Sequence, residues 1–285
     1  MNSLPNLNTI HNMDCVEFMQ TIPDACVDAV IADPPYNLNK NFGNDSDVWN
    51  TAEDWVQWSK TWIDESLRIL KPTGSIFIYG IHHFTCYTQC YLYEKQMKYR
   101  RQIIWHYENG FSMYRNAPAA HYETLLWFSK SNNYTYHPIR EAYKSQERLR
   151  HKIIKNGKIW TPHPDGKHAG DVWNIPTLAG RRFQDERTAH PTQKPLVLAH
   201  RLTKHFTNEG DVIFIPFAGS GTECVSAAFH NRHFLATELN TEYISIAEKR
   251  LKSIQADVAT REQSHATSNA KDYLMYDRQV AETLF

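Results

Sequence analysis

The chain has 285 residues, with 31 Lys and Arg against 31 Asp and Glu, a formal charge of zero and a pI near 7.3. At 41% hydrophobic and 22% charged it has the make-up of an ordinary globular protein, which excludes disordered, collagen-like and coiled-coil classes. A mean hydropathy of -0.58, no apolar run approaching the roughly 18 residues of a spanning helix, and a start (MNSLPNLNTIHNMD) without basic and apolar leader regions point to a soluble, cytoplasmic protein with no membrane partner.

In chain order, Val27 to Ala32 (VDAVIA) reads as a buried strand that stops at Asp33-Pro34-Pro35, because prolines neither extend a helix nor donate to a ladder. Tyr36 to Asn50 is polar, with Gly43 as a hinge, and reads as a mobile loop. Trp55, Trp58, Trp62, Ile63, Leu67 and Leu70 recur at helical spacing and form a core stripe; Lys71-Pro72 and Gly74 end that helix before a strand from Ser75 to Tyr79. A helix from Phe84 to Met97 and strands Arg101 to Tyr107 and Glu123 to Ser129 follow. Five cysteines (Cys15, Cys26, Cys86, Cys90, Cys224) without a CxxC pair read as reduced, mostly buried thiols, and fifteen histidines without ligand spacing give no metal site.

Between Ser131 and Arg182 the pattern changes to ten Lys and Arg against four Asp and Glu, with turn signals at Asn156-Gly157 and His163 to Gly166. The neutral total hides this asymmetry: Lys95 to Arg187 carries 17 basic and 8 acidic residues, and the remainder 14 and 23. Such a block faces phosphate or is simply a solvated insert. Beyond it come a helix from Pro195 to Phe206, a strand from Val212 to Phe217, a helix from Thr222 to Asn231, a strand from His233 to Leu239 and a helix from Thr241 to about Leu251. The alternation on both sides of the insert predicts an α/β fold with a doubly wound, mostly parallel sheet. Four stretches are expected: 1–130, the insert 131–182, 183–252 in the same domain as the first, and a tail 253–285 of no readable role.

Phe217-Ala218-Gly219-Ser220-Gly221-Thr222 lies between strand and helix, where open α/β sheets bind ligands, and its glycines allow close backbone approach. No Gly-Lys-Ser/Thr follows, and the third glycine of a dinucleotide fingerprint is missing. Glu238, seventeen residues after Gly221, is placed to hold ribose hydroxyls. Together they suggest a nucleoside with a small charged group; taken singly they are also compatible with a tight turn and a solvated strand end. The Asp33-Pro34-Pro35-Tyr36 turn fits an exocyclic amine, with Asp33 and the Pro34 carbonyl accepting its two hydrogens and Tyr36 stacking on the heterocycle.

These two motifs, with SLRILKPTGSIFI from Ser66, HYETLLWFSK from His121, DVWNIP from Asp171, HPTQKP from His190 and NRHFLATELN from Asn231, resemble the β-class amino-methyltransferases of DNA over about residues 8 to 252. The resemblance implies S-adenosylmethionine as cofactor, double-stranded DNA as partner and the N6 amine of a flipped-out adenine as acceptor. Cytosine N4 is the alternative, and a DNA-binding member weakened in catalysis is another. It implies that Asp33, Pro34, Pro35 and Tyr36 carry catalysis, with Asp33 also near the cofactor. Phe217, Ala218, Gly219, Ser220, Gly221 and Thr222 take the methionine end, and Glu238 takes the ribose. Asp14 and Cys15 sit at the adenine, and Thr192 and Lys194 close the methionine end, Lys194 offering charge to the carboxylate. The loop after Tyr36 becomes a lid, and Arg140, Arg148, Arg150, Arg181 and Arg182 are candidates to read guanine edges. A homodimer and a cognate restriction endonuclease are left open as further partners. Where the family usually has Asp-Pro-Phe, this chain has Ile215-Pro216-Phe217, so a carboxylate near the cofactor amine is lost unless another acid, such as Asp33, replaces it.

Overall fold

The computed structural model describes residues 4–264 apart from 39, 41–46, 82, 111–115, 151 and 181–182, and only the backbone of 146, 148 and 255–264. Gly43, Arg181, Arg182, the Arg148 side chain and the tail beyond 264 therefore lie outside the described residues. The elements run β1 (Thr9–His11), α1 (Cys15–Thr21), β2 (Val27–Ala32), α2 (Ala52–Ile69), β3 (Leu70–Gly80), α3 (Thr85–Glu94), β4 (Lys98–His106) and β5 (Tyr122–Ser129). Four short strands follow, β6 (Arg140–Glu141), β7 (Ile153–Lys155), β8 (Lys158–Trp160) and β9 (Lys167–His168). The chain returns through β10 (Val172–Asn174), α4 (Leu196–Phe206), β11 (Val212–Ile215), α5 (Thr222–Phe229), β12 (His233–Thr237) and α6 (Thr241–Ser264).

Among the described residues the main sheet has eight strands in the order β1-β12-β11-β2-β3-β5-β4-β10, and only β5 runs against its neighbours. The mostly parallel α/β sheet expected from the sequence is present. The period-two pattern of β2 explains its two-sided burial: Val30 and Ala32 join Phe18, Met19, Trp62, Ile63 and Leu92 on the face of α1, α2 and α3. Ala29 and Ile31 turn to the opposite face with Leu198, Leu202, Phe206 and Cys224 from α4 and α5. Burying one such large apolar side chain contributes about 1.5–3 kcal/mol.

Helix α2 begins with a reciprocal cap: the Asp54 amide donates to the Thr51 hydroxyl, and the Thr51 amide to the Asp54 carboxylate. At its end Arg68 donates to Asp24 and to Glu65, closing the helix against α1 through the Met19 carbonyl. Trp55, Trp62 and Ile63 are buried as the stripe predicts, whereas Trp58 is partly exposed and packs on Trp49 and Phe217.

The structure corrects several expectations. Strand β3 starts at Leu70, directly after the helix, because an irregularity between Val27 and Ala29 accommodates Pro72 and because Lys71 is held by Asp28 at 2.8 Å. Helix α6 continues past Leu251 to Ser264, over a stretch with no Gly or Pro. The end of the 131–182 stretch belongs to the main sheet, since β10 pairs with β4, and Ile139 near its start is buried in the second core. The part standing off the sheet runs from β6 to β9. Only Cys15 and Cys224 are buried; Cys26 is half-buried and Cys86 and Cys90 are exposed, being four apart on the face of α3 opposite Thr85, Thr88 and Leu92. No described helix is long and apolar enough to cross a membrane.

Candidate active site

The carboxyl ends of β1, β2, β3, β4, β11 and β12 share one edge of the sheet, and antiparallel β5 brings its first residues, Tyr122 and Glu123, to the same edge. Asp33 to Tyr36 leaves β2 there. The Tyr36 hydroxyl donates to Asp33 Oδ1, and Lys194 Nζ lies 3.0 Å from Asp33 Oδ2 and 3.1 Å from Glu123 Oε2. Lys194 is 5% exposed and its ammonium faces the rings of Tyr36 and Tyr79 at 5.3 Å and Trp105 at 5.8 Å. Burial alone would drive its proton off; Asp33 and Glu123 outweigh that and hold it charged, with its pKa raised. Burial, and then Asp33 and Glu123, push the Tyr36 phenol well above its usual range, so it is a neutral donor.

The turn is braced from α2, where Trp55 Nε1 donates to the Pro35 carbonyl at 2.9 Å. Asp47, buried, accepts from the amides of Asn37 and Leu38, and Trp49 N donates to Asn37 Oδ1 at 2.8 Å. The root of the predicted lid is thus pinned on both sides rather than loose, because one carboxylate satisfies two loop amides.

The glycine loop begins where Pro216 ends β11. Gly219 (φ 50°) and Gly221 (φ 75°) have left-handed backbones, and a Cβ on Gly219 would sit 2.9 Å from His190 Nε2. Glu238 Oε2 accepts from Gly219 N at 2.8 Å and Oε1 from Asn240 N at 2.9 Å, which ties the predicted ribose acid to the loop. Ala218 is buried and its amide donates to Thr237 O at 2.9 Å, and Phe217 packs edge-on against Trp62. Ser220 and Thr222 are also buried: Arg250 Nη1, from α6, donates to Ser220 O at 2.8 Å and to Thr222 Oγ1 at 3.0 Å, and Thr222 Oγ1 donates to Lys194 O at 3.2 Å. The two halves of the site therefore meet through the backbone of Lys194.

The remaining predicted residues lie around this centre. Asp14 caps α1 by accepting from Val16 N at 2.8 Å and Glu17 N at 3.2 Å, and Asn12 beside it donates to Glu238 O at 3.0 Å. Cys15 follows Asp14 with its side chain in the first core cluster, where burial raises its thiol. Thr192 N donates to His190 Nδ1 at 3.3 Å, and His190 packs on Tyr243, with burial lowering its pKa to about 4. Two assignments change. The Lys194 ammonium is taken up by Asp33 and Glu123 instead of reaching toward a cofactor carboxylate, and both Asp33 oxygens already have partners. The parts played here by Trp55, Glu123, Glu223 and Arg250 were not anticipated; Glu123 lies within HYETLLWFSK, Glu223 adjoins the glycine loop, Trp55 was marked only as a core residue, and Arg250 had no signal. Arg140 donates to Gly166 O at 3.0 Å, bracing its own loop, and Arg150 lies 3.9 Å from Glu147.

The edge suits a nucleoside with an amino-acid tail. It offers a loop of two left-handed glycines, an acid at the next strand end, and a buried Glu223 oxygen, Oε1, without a hydrogen bond of good geometry. Among the described residues no three His, Cys, Asp or Glu gather as a metal site.

A family model described as DNA methylase matches residues 27–249. Among known proteins, the chain is 32% identical over 259 residues to the type II methyltransferase M1.MboII of Moraxella bovis, covering 87% of this chain and 98% of that protein. It is 33% identical over 250 residues to the DNA adenine methyltransferase YhdJ of Escherichia coli (strain K12), covering 85% and 82%. Of solved structures, M1.HpyAVI in complex with S-adenosylmethionine aligns with a TM-score of 0.58 at 24% identity, over 85% of this chain and 98% of that one. The cytosine-N4-specific PvuII DNA methyltransferase aligns with a TM-score of 0.61 at 16% identity, over 87% and 90%. At these identities the solved structures speak for the fold alone.

Proposed function

The chain belongs to the N6/N4 DNA methylase family and is an S-adenosylmethionine-dependent DNA methyltransferase; on that premise we propose that its acceptor is the N6 amine of an adenine flipped out of double-stranded DNA. The observation that carries this reading is the braced Asp33-Pro34-Pro35-Tyr36 turn with Lys194 on Asp33, beside the glycine loop. When bound, S-adenosylmethionine supplies an electrophilic methyl group. The chain does the rest. Each oxygen of the Asp33 carboxylate has two lone pairs, so it can accept an amine hydrogen beside Lys194 and Tyr36. The Pro34 carbonyl accepts the other, which draws the amine toward a pyramidal nucleophile, and the ion pair with Lys194 holds the Asp33 carboxylate in place. Placement of the amine in line accounts for most of the remaining acceleration. The base leaves the stack at a cost of a few kcal/mol and lies on the Tyr36 ring.

Adenine is favoured because the turn opens with Asp, where Ser is commoner among the cytosine enzymes, and the likeness to YhdJ supports it. DNA meets the segment from β6 to β9. There the β7–β8 hairpin carries Lys155 and Lys158 around an Asn156-Gly157 turn with positive φ at both residues, and exposes Ile154 (73%), Ile159 (65%) and Trp160. A two-stranded ribbon of this kind fits the major groove, with lysines on phosphates. The setting is the cytoplasm, and the likeness to type II methyltransferases supports a partner endonuclease with the same recognition sequence. The test is single-turnover methyl transfer with Asp33→Ala and Tyr36→Ala. Both are expected to bind cofactor and lose transfer; wild-type turnover in either overturns the assignment.

A further inference from the structure

The family carboxylate expected at residue 215 is absent, and the structure shows why it has no simple stand-in there. Ile215 ends β11, is 1% exposed, and packs in the second core with Ala218 and Cys224. Asp33 carries Tyr36 and Lys194 on its two oxygens and has its remaining lone pairs assigned to the acceptor base, and Glu238 holds the amides of Gly219 and Asn240. One acid at this edge retains an uncommitted oxygen. Glu223, the second residue of α5 directly after the glycine loop, is 6% exposed, and its Oε1 is buried without a hydrogen bond of good geometry, as is the hydroxyl of Tyr79, the neutral group that lies against it. The groups facing it come from four elements: Asp33 after β2, Tyr79 on β3, Lys194 before α4 and Arg250 on α6.

We propose that Glu223 replaces the missing carboxylate and accepts the α-ammonium group of the cofactor's methionine end. A buried carboxyl left without a well-formed hydrogen bond is unfavourable, and a bound cation is the partner that removes the penalty. Its electrostatics agree: burial, and next the charge of Asp33, raise its pKa to about 7 against the opposing pull of Lys194 and Arg250, and a further cation at the carboxylate favours the charged form. Glycines at 219 and 221 let His190 and Ala247 pack directly on the loop, which fixes the loop where α5 begins. A helix N-terminus by itself favours anions; a buried glutamate in its first turn instead gives the site a place for the positive end of a zwitterion.

This inference rests on the S-adenosylmethionine reading, and the test separates the two. Calorimetry with S-adenosylhomocysteine and with 5′-methylthioadenosine compares ligands that share the nucleoside and thioether, only the first carrying the ammonium. Wild-type protein binding neither would overturn the cofactor reading itself. Glu223→Gln is expected to weaken S-adenosylhomocysteine by about 10- to 100-fold, the size of a charged hydrogen bond, and to leave 5′-methylthioadenosine within about twofold. Glu223→Asp, which keeps the charge, is expected to retain a preference for S-adenosylhomocysteine. Equal weakening of both ligands in Glu223→Gln while Glu223→Asp binds both normally, or an unchanged preference in Glu223→Gln, would overturn the assignment.

Discussion

Replacing Lys194 by Met keeps most of the side chain's volume and removes only its charge. That charge lies 3.0 Å from Asp33 and 3.1 Å from Glu123, inside a cage of Tyr36, Tyr79 and Trp105. Without it two carboxylates face each other with side chains 20% and 18% exposed. Breaking a buried ion pair by removing one partner costs about 3–5 kcal/mol, and because both acids retain some solvent the lower end applies, about 3 kcal/mol. For a chain of this size that corresponds to a Tm lowered by about 6–12 °C. The double variant Lys194→Met with Glu123→Gln removes the repulsion and is expected to recover at least half the loss, a coupling read from the complete thermodynamic cycle. Thermal and urea denaturation of the four proteins measures it. A single Lys194→Met variant melting within about 2 °C of the parent, or a double variant less stable than the single one, would refute the view that Lys194 neutralises these acids.

Trp55→Phe keeps an aromatic ring but loses the indole's second ring and its bond to the Pro35 carbonyl, so it is expected to cost about 1 kcal/mol for the bond and a further ~1–2 kcal/mol for the cavity, and to lower kcat more than cofactor affinity, as measured by steady-state transfer and calorimetry. Gly219→Ala places a methyl 2.9 Å from His190 Nε2 on a left-handed backbone and should cost about 1–2 kcal/mol, with weakened cofactor binding in the same titration. Stability should fall with acidity: burial lowers His190, His205 and His230 to about 4 and His200 to about 3, against 6.5 in the unfolded chain. These depressed groups contribute stability that is fully present above pH 6.5 and lost as pH falls toward 4, because the unfolded state takes up protons first. Urea midpoints at pH 7.5 and 5 check the direction. Charge reversal of Lys155 and Lys158 to Glu should weaken DNA binding and flatten its salt dependence while leaving S-adenosylhomocysteine binding intact.

The strands, the amphipathic helices and the two motif turns were legible because each is written in a few contiguous residues: VDAVIA ending at two prolines, or a glycine loop between strand and helix. The place of Glu238 beside the loop was legible by its offset, as its bond to Gly219 shows. What escaped came from elsewhere in the chain. Arg250 reaches Ser220 from thirty residues away, Trp55 reaches Pro35 from twenty, and Lys194 meets Asp33 only when the sheet brings β2, β5 and the segment before α4 to one edge. Helical period placed the Trp55 side chain in the core, and that was right, yet a core tryptophan still has an indole N–H to donate, and periodicity does not say to what. The three-residue β10 was hidden for a related reason: pairing with β4, not its own sequence, makes it part of the main sheet.

An Asp-led turn beside an S-adenosylmethionine cradle is expected to methylate adenine N6 in DNA. Unmethylated genomic DNA incubated with the protein and methyl-labelled S-adenosylmethionine, then digested to nucleosides and separated, tests it directly. Label in N6-methyladenine that disappears with Asp33→Ala is the expected result; label in N4-methylcytosine, or no label in DNA from a protein that binds the cofactor, would contradict it.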